Sequence, residues 1–152
     1  MTICILKNIK VPTTIMTNSA ENNGNIFGAV DYLNHKKDII NTGVTIKEYE
    51  GGISYHGKSM TIDDDIAIVG SFNMDMRSAY IDTELMLVIN SKDINKQLKA
   101  SMEEYEKKAA TVKNETEYSH IPEGMKMKEL SDKKKNIKAW FGWAMNGLRF
   151  LF

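Results

Sequence analysis

The sequence lacks the features that mark several common protein classes. Its 152 residues include a single cysteine, Cys4, so the chain cannot form an internal disulfide and offers no Cys/His zinc pattern. Twenty basic residues balance twenty acidic ones, unlike the strongly basic charge of a dedicated nucleic-acid-binding domain. No apolar run approaches the roughly 20 residues of a membrane-spanning helix, and the first residues show no signal peptide. These absences favour one soluble or peripheral domain in a reducing compartment.

The order of the apolar segments predicts a layered α/β arrangement, with helices on both sides of a mixed sheet. Apolar residues recur at helical spacing from Ile26 to Ile40 and stop at Gly43, and a second amphipathic helix is predicted over 94–112. Short β-branched runs predict strands at Ile3 to Leu6, Val11 to Met16, Val44 to Tyr49, Tyr55 to Ile62, Ile66 to Val69 and Glu84 to Asn90. The last of these is so apolar that we expect it to be central in the sheet.

The composition changes beyond Asn114, which divides the chain into a domain of residues 1–113 and a basic, amphipathic tail of residues 114–152. The tail lysines are Lys126, Lys128, Lys133, Lys134, Lys135 and Lys138. On a helix, one apolar stripe would contain Ile137, Trp140, Phe141, Ala144, Leu148 and Leu151. Two interpretations follow: a terminal helix docked on the domain's own core, or a helix in a membrane interface with its lysines at anionic headgroups.

Polar residues interrupt the central strands in a pattern that suits phosphate chemistry. His56 and Lys58 are two residues apart in a predicted strand, and such residues point to the same face. Lysine supplies charge and donors for a phosphate, while an imidazole nitrogen can attack phosphorus or transfer a proton. Ser71 and Asn73, at the end of the next strand, offer donors that would converge with Lys58. Glu84 begins the following strand and is placed to orient the ring of His56.

Each of these residues taken alone has an ordinary structural explanation. A strand histidine is usually a satisfied structural residue, an isolated lysine is usually solvated, and Ser-x-Asn is a common turn. Asp63-Asp64-Asp65 is interpreted as a turn between strands, because it lacks the spacing and the downstream glutamate of a calcium loop. No metal site is therefore predicted, and only the joint pattern at fixed spacing favours a functional site.

That joint pattern resembles the HKD motif of the phospholipase D superfamily, with every defined position of the motif filled. In this chain it reads His56-x-Lys58, four residues, Asp63, six residues and Gly70-Ser71-x-Asn73. The segment from Thr17 to Ser19 is similar to one found upstream in lipid-acting members. The segment from Asn73 to Leu85 is similar to the stretch that follows the motif in bacterial cardiolipin synthases. The resemblance covers roughly Val11 to Val112.

The resemblance implies an αβα domain and a two-step exchange through a phosphohistidine, without metal or other cofactor. It implies a phospholipid substrate and cardiolipin synthase-like phosphatidyl transfer, while the neutral net charge and the apolar tail argue against nucleic acid as a partner. His56 acts as nucleophile or general acid, Glu84 orients it, and Asp63 is more structural than chemical. The implied residues are His56, Lys58, Asp63 and Glu84 for catalysis, and Lys58, Ser71 and Asn73 for phosphate binding.

The family builds one active site from two such motifs, whereas neither His35 nor His120 begins a second complete motif here. The other half comes from a second copy in a homodimer or from a missing N-terminal half. We favour the missing half, because the ten residues before Val11 are too few for the first strand and long helix of a whole domain.

The resemblance also bears on the location of the chain. It favours membrane contact through residues 126–152, and hence a cytoplasmic protein peripheral to the cell membrane whose intact parent enzyme is membrane-anchored. Two alternatives to the lipid enzyme stay open. One is a homodimeric HKD nuclease or phosphodiesterase acting on nucleic acid, and the other is an inactive, truncated membrane-binding fragment.

Overall fold

The computed structural model describes residues 6–148 and, within them, every side chain except those of Met76 and residues 141–148. The helices are α1 (Ile26–Ile40), α2 (Met76–Tyr80), α3 (Lys92–Glu106) and α4 (Asp132–Leu148). The strands are β1 (Thr14–Asn18), β2 (Thr45–Tyr49), β3 (Ser59–Ile62), β4 (Ile66–Gly70), β5 (Met86–Asn90), β6 (Ala109–Val112) and β7 (Tyr118–His120). Leu6 lies in a short helical turn, so it is not in the predicted strand, whose other residues lie outside the described ones.

Within the described residues the strands form two sheets. The first has the order β1-β2-β6-β7, with β1 and β2 parallel and the other pairs antiparallel. The second, β3-β4-β5, is antiparallel throughout. The predicted α/β class and single domain are confirmed, with the strands divided between two sheets where one mixed sheet was expected.

Helix α1 connects the parallel strands β1 and β2, as a parallel pair requires. Asn25 caps its first turn, since its side-chain oxygen accepts hydrogen bonds from the backbone N–H groups of Phe27 and Gly28. Val30, on the buried face of this helix, is fully buried. The chain leaves the helix through Gly43, whose φ of +87° favours glycine, so the predicted helix and its end are both confirmed.

A buried carboxylate ties α1 to the first sheet. Glu48 on β2 accepts hydrogen bonds from the hydroxyls of Tyr32 on α1 and Tyr118 on β7, at 2.6 and 2.5 Å. Lys36 of α1 places its ammonium 2.8 Å from the same carboxylate. Burial raises the pKa of both tyrosines, which therefore keep their protons and donate. This network brings β7, a strand within the predicted tail, into the sheet.

Helix α3 covers one face of the second sheet. Asn95 on this helix is 1% exposed, and its amide donates to the carbonyl of Ile66 on β4 at 2.6 Å. The prediction of one helix over 94–112 is wrong in its last part, because α3 ends at Glu106 and residues 109–112 form β6. Pairing with β2 gives these residues sheet hydrogen bonds and buries Ala109 and Ala110.

The apolar composition of β5 predicted a central strand, and this prediction is wrong. Among the described residues β5 pairs with β4 alone, and Leu87 and Val88 are 57% and 61% exposed. One face of this short sheet, which carries Met60, Ile62 and Val88, is exposed, so an apolar strand is left partly uncovered. The strand also begins at Met86 instead of Glu84, and Glu84 is left in the connection that precedes it.

The C-terminal part of the chain folds against the domain. Helix α4 contacts α1, and no helix among residues 6–148 is both long and apolar enough to cross a membrane. Of the predicted apolar stripe, only Ile137 and Trp140 have described side chains; the other four lie outside the described ones. The division of the chain after residue 113 stays a prediction.

Candidate active site

His56 and Lys58 lie on an irregular segment just before β3, so the predicted strand is wrong over residues 55–58. Their side chains nevertheless meet, because the Lys58 ammonium lies 3.2 Å from both ring nitrogens of His56. It also donates to the His56 carbonyl at 3.4 Å. A lysine ammonium can only donate, so Lys58 is the donor in any hydrogen bond to the ring or to the carbonyl. An ammonium and an imidazole side by side are the groups that phosphate binding and attack on phosphorus require.

Backbone hydrogen bonds bring the ends of β3, β4 and β5 side by side. The N–H of Gly70 donates to the Lys58 carbonyl at 3.0 Å, and the N–H of Ser71 donates to the Leu85 carbonyl at 3.0 Å. These two bonds place the His56 segment, the end of β4 and the start of β5 at one end of the second sheet. The sequence prediction required this convergence, which comes here from antiparallel pairing.

Ser71 and Glu84 form the second side-chain contact at this end of the sheet. The Ser71 hydroxyl donates to the Glu84 carboxylate at 2.5 Å and accepts from the Leu85 N–H at 3.0 Å. Hydrogen bonds from Ser71 and then Ser78, followed by the charge of Lys58, lower the pKa of Glu84. The structure thus pairs Glu84 with Ser71, where the sequence prediction had paired it with His56.

Only glycine fits at position 70, because β5 approaches its backbone closely. A β-carbon at this position would lie 2.1 Å from the Leu85 carbonyl oxygen and 2.9 Å from the Met86 α-carbon. Both are backbone atoms that cannot move without breaking the β4–β5 pairing. The glycine therefore keeps the strand ends close together, and it lies within β4 itself.

Of the two remaining predicted site residues, one lies near the site and the other lies away from it. Asn73 lies two residues beyond Ser71, half-buried in the segment that leads to α2. Asp63 lies in the turn between β3 and β4 with φ of +48°, at the far end of the hairpin. The four residues of β3 separate it from Lys58, which is five residue steps or about 17 Å of extended chain. Its carbonyl accepts from Lys99 at 2.5 Å, which suits the structural role expected of it.

The site is open to solvent. His56 and Ser71 are exposed, and Lys58 and Glu84 are half-buried. In the described part of the chain, no cluster of three or more His, Cys, Asp or Glu side chains is arranged to hold a metal ion. The arrangement is an imidazole, an ammonium and a hydroxyl on an accessible surface, and these groups can bind and polarise a phosphate group.

Sequence reasoning assigned no role to Asn18, which the structure places next to this site. Its side-chain oxygen accepts from the Tyr55 N–H at 2.7 Å, and its side-chain nitrogen donates to the Tyr55 carbonyl at 2.7 Å. Ser78, which reinforces Glu84, was missed as well. Asn18 could have been found from its place in the family-like segment from Thr17 to Ser19, whereas no sequence pattern pointed to Ser78.

Comparison with known proteins identifies the family. Residues 2–105 match the family model described as the phospholipase D-like domain of cardiolipin synthase. The chain belongs to this family, and the resemblance recognised from the HKD motif is confirmed.

Curated relatives are longer than this chain. Cardiolipin synthase A of Wigglesworthia glossinidia brevipalpis is 35% identical over 68 residues, which are 45% of this chain and 14% of that protein. Cardiolipin synthase A of Yersinia pseudotuberculosis is 33% identical over 78 residues, which are 51% of this chain and 16% of that protein. The matched part thus spans about one seventh of these relatives' length.

Among solved structures, the chain is similar to a phospholipase D family member, Nuc from Salmonella typhimurium. The TM-score is 0.49 and the sequence identity 15%. The match covers 73% of this chain and 88% of the Nuc chain.

Proposed function

We propose that this chain supplies one half of the active site of a phospholipase D-type enzyme, which cleaves or transfers the phosphodiester of phospholipids. The observation that carries the proposal is the contact of the Lys58 ammonium with both ring nitrogens of His56 at 3.2 Å. Ser71 at the adjoining strand end and membership of the cardiolipin synthase family support it. The substrate class is taken from the names of the relatives.

The proposed reaction has two displacement steps. In the first, one histidine nitrogen attacks phosphorus, a phosphorus–nitrogen bond forms, and the ester oxygen leaves with a proton from a second histidine. In the second, that histidine takes a proton from water or an alcohol, whose oxygen attacks phosphorus and displaces the first. His56 is one of the two. The phosphate oxygens replace the His56 ring as partners of Lys58, and donors from Ser71 and Asn73 help to hold them.

The second histidine comes from a second HKD half outside the motif of this chain. Exposure of His56 and Ser71 supports this part of the proposal, because a site completed by another half must be accessible to it. A second copy of this chain and a separate domain are the two possible sources. Residues 126–152 are proposed to contact the membrane, which would hold the protein at the cytoplasmic surface where its substrate lies.

The proposal is tested by incubating the full chain with vesicles of phosphatidylglycerol in the presence of EDTA, over a range of protein concentrations. Released glycerol and newly formed cardiolipin are measured by mass spectrometry, and light scattering after gel filtration gives the oligomeric state. We expect lipid turnover to appear at the protein concentrations where the chain is a dimer. In His56→Asn the turnover rate should fall by at least about a thousandfold, because a covalent step is lost.

His120→Asn is the matched control, since His120 is an exposed histidine on β7, in the other sheet. It should leave turnover unchanged. Lipid turnover that survives in His56→Asn would contradict the assignment of His56. Metal-free cleavage of plasmid DNA without lipid turnover would instead identify a nuclease. A chain that stays monomeric and inactive at every concentration would contradict pairing with a second copy and leave a separate domain or an inactive fragment.

A further inference from the structure

One asparagine side chain holds the backbone from which His56 projects. Asn18 lies at the end of β1, in the first sheet, 37 residues away from Tyr55. Its amide binds both backbone polar groups of Tyr55, accepting from the N–H and donating to the carbonyl, each at 2.7 Å. A side-chain amide that pairs with an N–H and a carbonyl of one residue imitates the hydrogen bonding of a neighbouring strand.

The orientation of the Asn18 amide is itself fixed. Asn22, which is 8% exposed, donates from its side-chain nitrogen to the Asn18 side-chain oxygen at 3.2 Å and to the Ile53 carbonyl at 3.3 Å. The Asn22 oxygen accepts from the Gly52 N–H at 3.0 Å. The two asparagines therefore bind four backbone groups of Gly52, Ile53 and Tyr55, and each can do so only with its oxygen and nitrogen in the observed positions.

These contacts matter because residues 51–58 belong to no strand or helix of the structure. Their backbone groups must find partners elsewhere or remain with water. Aromatic packing restrains the same stretch from the other side, as the Tyr55 ring lies 4.6 Å from that of Tyr105 and 6.1 Å from that of Tyr49. The Tyr55 phenol also fills the space beside Gly57, where a β-carbon would lie 2.0 Å from its hydroxyl oxygen.

We propose that Asn18 is a positioning residue for His56, which sets the direction of the imidazole by fixing both backbone groups of the preceding residue. The need for that precision rests on the proposed function, because a displacement at phosphorus requires the attacking nitrogen to be held in line. The hydrogen bonding of Asn18 to the Tyr55 backbone does not depend on that function. Asn22 supports this role by holding the Asn18 amide in its orientation.

The test compares the full chain with Asn18→Ala by NMR. We expect the Tyr55 amide to exchange at least about tenfold faster with solvent, because its acceptor is lost. The Cε1–H resonance of the His56 ring should shift and broaden as the ring samples more orientations. In the lipid assay, kcat should fall about tenfold with KM little changed, since orientation and not binding is impaired.

Asn114→Ala is the matched control. Asn114 also accepts two backbone N–H groups, those of Thr116 and Glu117 at 2.9 and 2.8 Å, but it lies in the turn between β6 and β7. It should leave the His56 resonance and kcat unchanged. Wild-type exchange at Tyr55 together with an unmoved His56 resonance in Asn18→Ala would overturn the proposal.

If Asn18→Ala does not fold, Asn18→Asp tests the positioning role of Asn18 in its place. The carboxylate keeps an acceptor for the Tyr55 N–H but sets a charged oxygen in place of the donor to the Tyr55 carbonyl, so the segment is displaced and a shifted and broadened His56 resonance in a folded chain supports the proposal. An unmoved resonance overturns it. If the wild-type chain forms a dimer that turns over no lipid while exchange and the ring resonance respond as expected, the proposed function fails for the paired chain and the placement of His56 by Asn18 stands.

Discussion

At the scale of single residues, a serine hydroxyl lowers the pKa of the site's carboxylate. The Ser71 hydroxyl is the largest influence that lowers the pKa of Glu84, ahead of Ser78 and Lys58. Because the pKa in the folded chain lies below the ordinary value of 4.5, ionised Glu84 stabilises the fold above that value. The contribution is lost as the pH falls through the lowered pKa. Near neutral pH, Glu84 is therefore a fixed negative charge beside Lys58.

Replacing Ser71 by alanine should raise the pKa of Glu84 toward 4.5, because the strongest hydrogen bond to the ionised carboxylate is removed. The measurement is an NMR titration of the Glu84 side-chain carboxyl carbon in both proteins. Ser119→Ala removes a serine hydroxyl on β7, in the other sheet, and should leave the titration unchanged. An identical Glu84 titration in the wild-type and Ser71→Ala chains would show that Ser71 does not lower the pKa of Glu84.

At the scale of elements, a buried lysine anchors helix α4. The Lys134 ammonium donates to the carbonyls of Ala20, Glu21 and Asn23, at 2.8, 2.5 and 3.0 Å, and the residue is 8% exposed. One lysine of the basic tail is therefore buried and binds backbone carbonyls of the domain. The turn that it binds directly follows β1 and the segment containing Asn18.

This anchor also explains why the nearby tryptophan faces solvent. Lys134 and Trp140 are six positions apart, so they lie about 120° apart around the helix. Burial of the Lys134 face therefore turns Trp140 outward, where it is 82% exposed. The start of the helix docks on the domain, as one interpretation of the tail expected, while an aromatic ring stays available to a membrane interface, as the other expected.

Removing the Lys134 ammonium should destabilise the chain. In Lys134→Met, three carbonyls lose their donor, and we expect the free energy of unfolding to fall by about 1–3 kcal/mol. Urea denaturation followed by circular dichroism measures the change. Lys133→Met is the matched control, since the neighbouring lysine is exposed and should have little effect. Equal stability of the two variants would contradict the anchoring role of Lys134.

At the scale of the whole molecule, one end of the second sheet carries both the candidate site and apolar surface. Leu85, next to Glu84 in sequence, is 79% exposed, and Tyr80 and Ile81 are 60% and 58% exposed. Together with the open His56, this surface suits a protein whose site is completed by another surface. The basic, aromatic start of α4 is a second exposed feature and suits contact with anionic lipid.

Neutralising exposed tail lysines should weaken the attachment to anionic vesicles. In the double variant Lys133→Gln/Lys138→Gln, binding should fall about fivefold for each lysine, since each contributes roughly 1 kcal/mol near an anionic surface. Flotation with phosphatidylglycerol vesicles measures binding, and Lys92→Gln/Lys96→Gln, exposed lysines on α3, is the control. Equal loss in both double variants would mean a diffuse charge effect, and no loss in either would exclude the tail as an electrostatic contact.

The sequence by itself determined the α/β class, helix α1 with its glycine end, and the family. These follow from local rules: helical spacing between Ile26 and Ile40, the φ available to Gly43, and a motif whose spacing is fixed along the chain. It also identified the residues of the candidate site by type. What the motif could not give was which of them touch, since Glu84 contacts Ser71 where His56 was expected.

Only the tertiary structure decided how the site is assembled. The His56 segment is no strand, because backbone groups just before His56 bond to the side chains of Asn18 and Asn22, which are 30 or more residues away in sequence. Residues 109–112 became a strand, because β2 offered hydrogen bonds that outweighed a continuing helical pattern. An apolar run in β5 did not mean burial, because only one face of its sheet is covered. Pairings between distant segments leave no local signal, and this is why the sequence named the chemistry while the fold set its geometry.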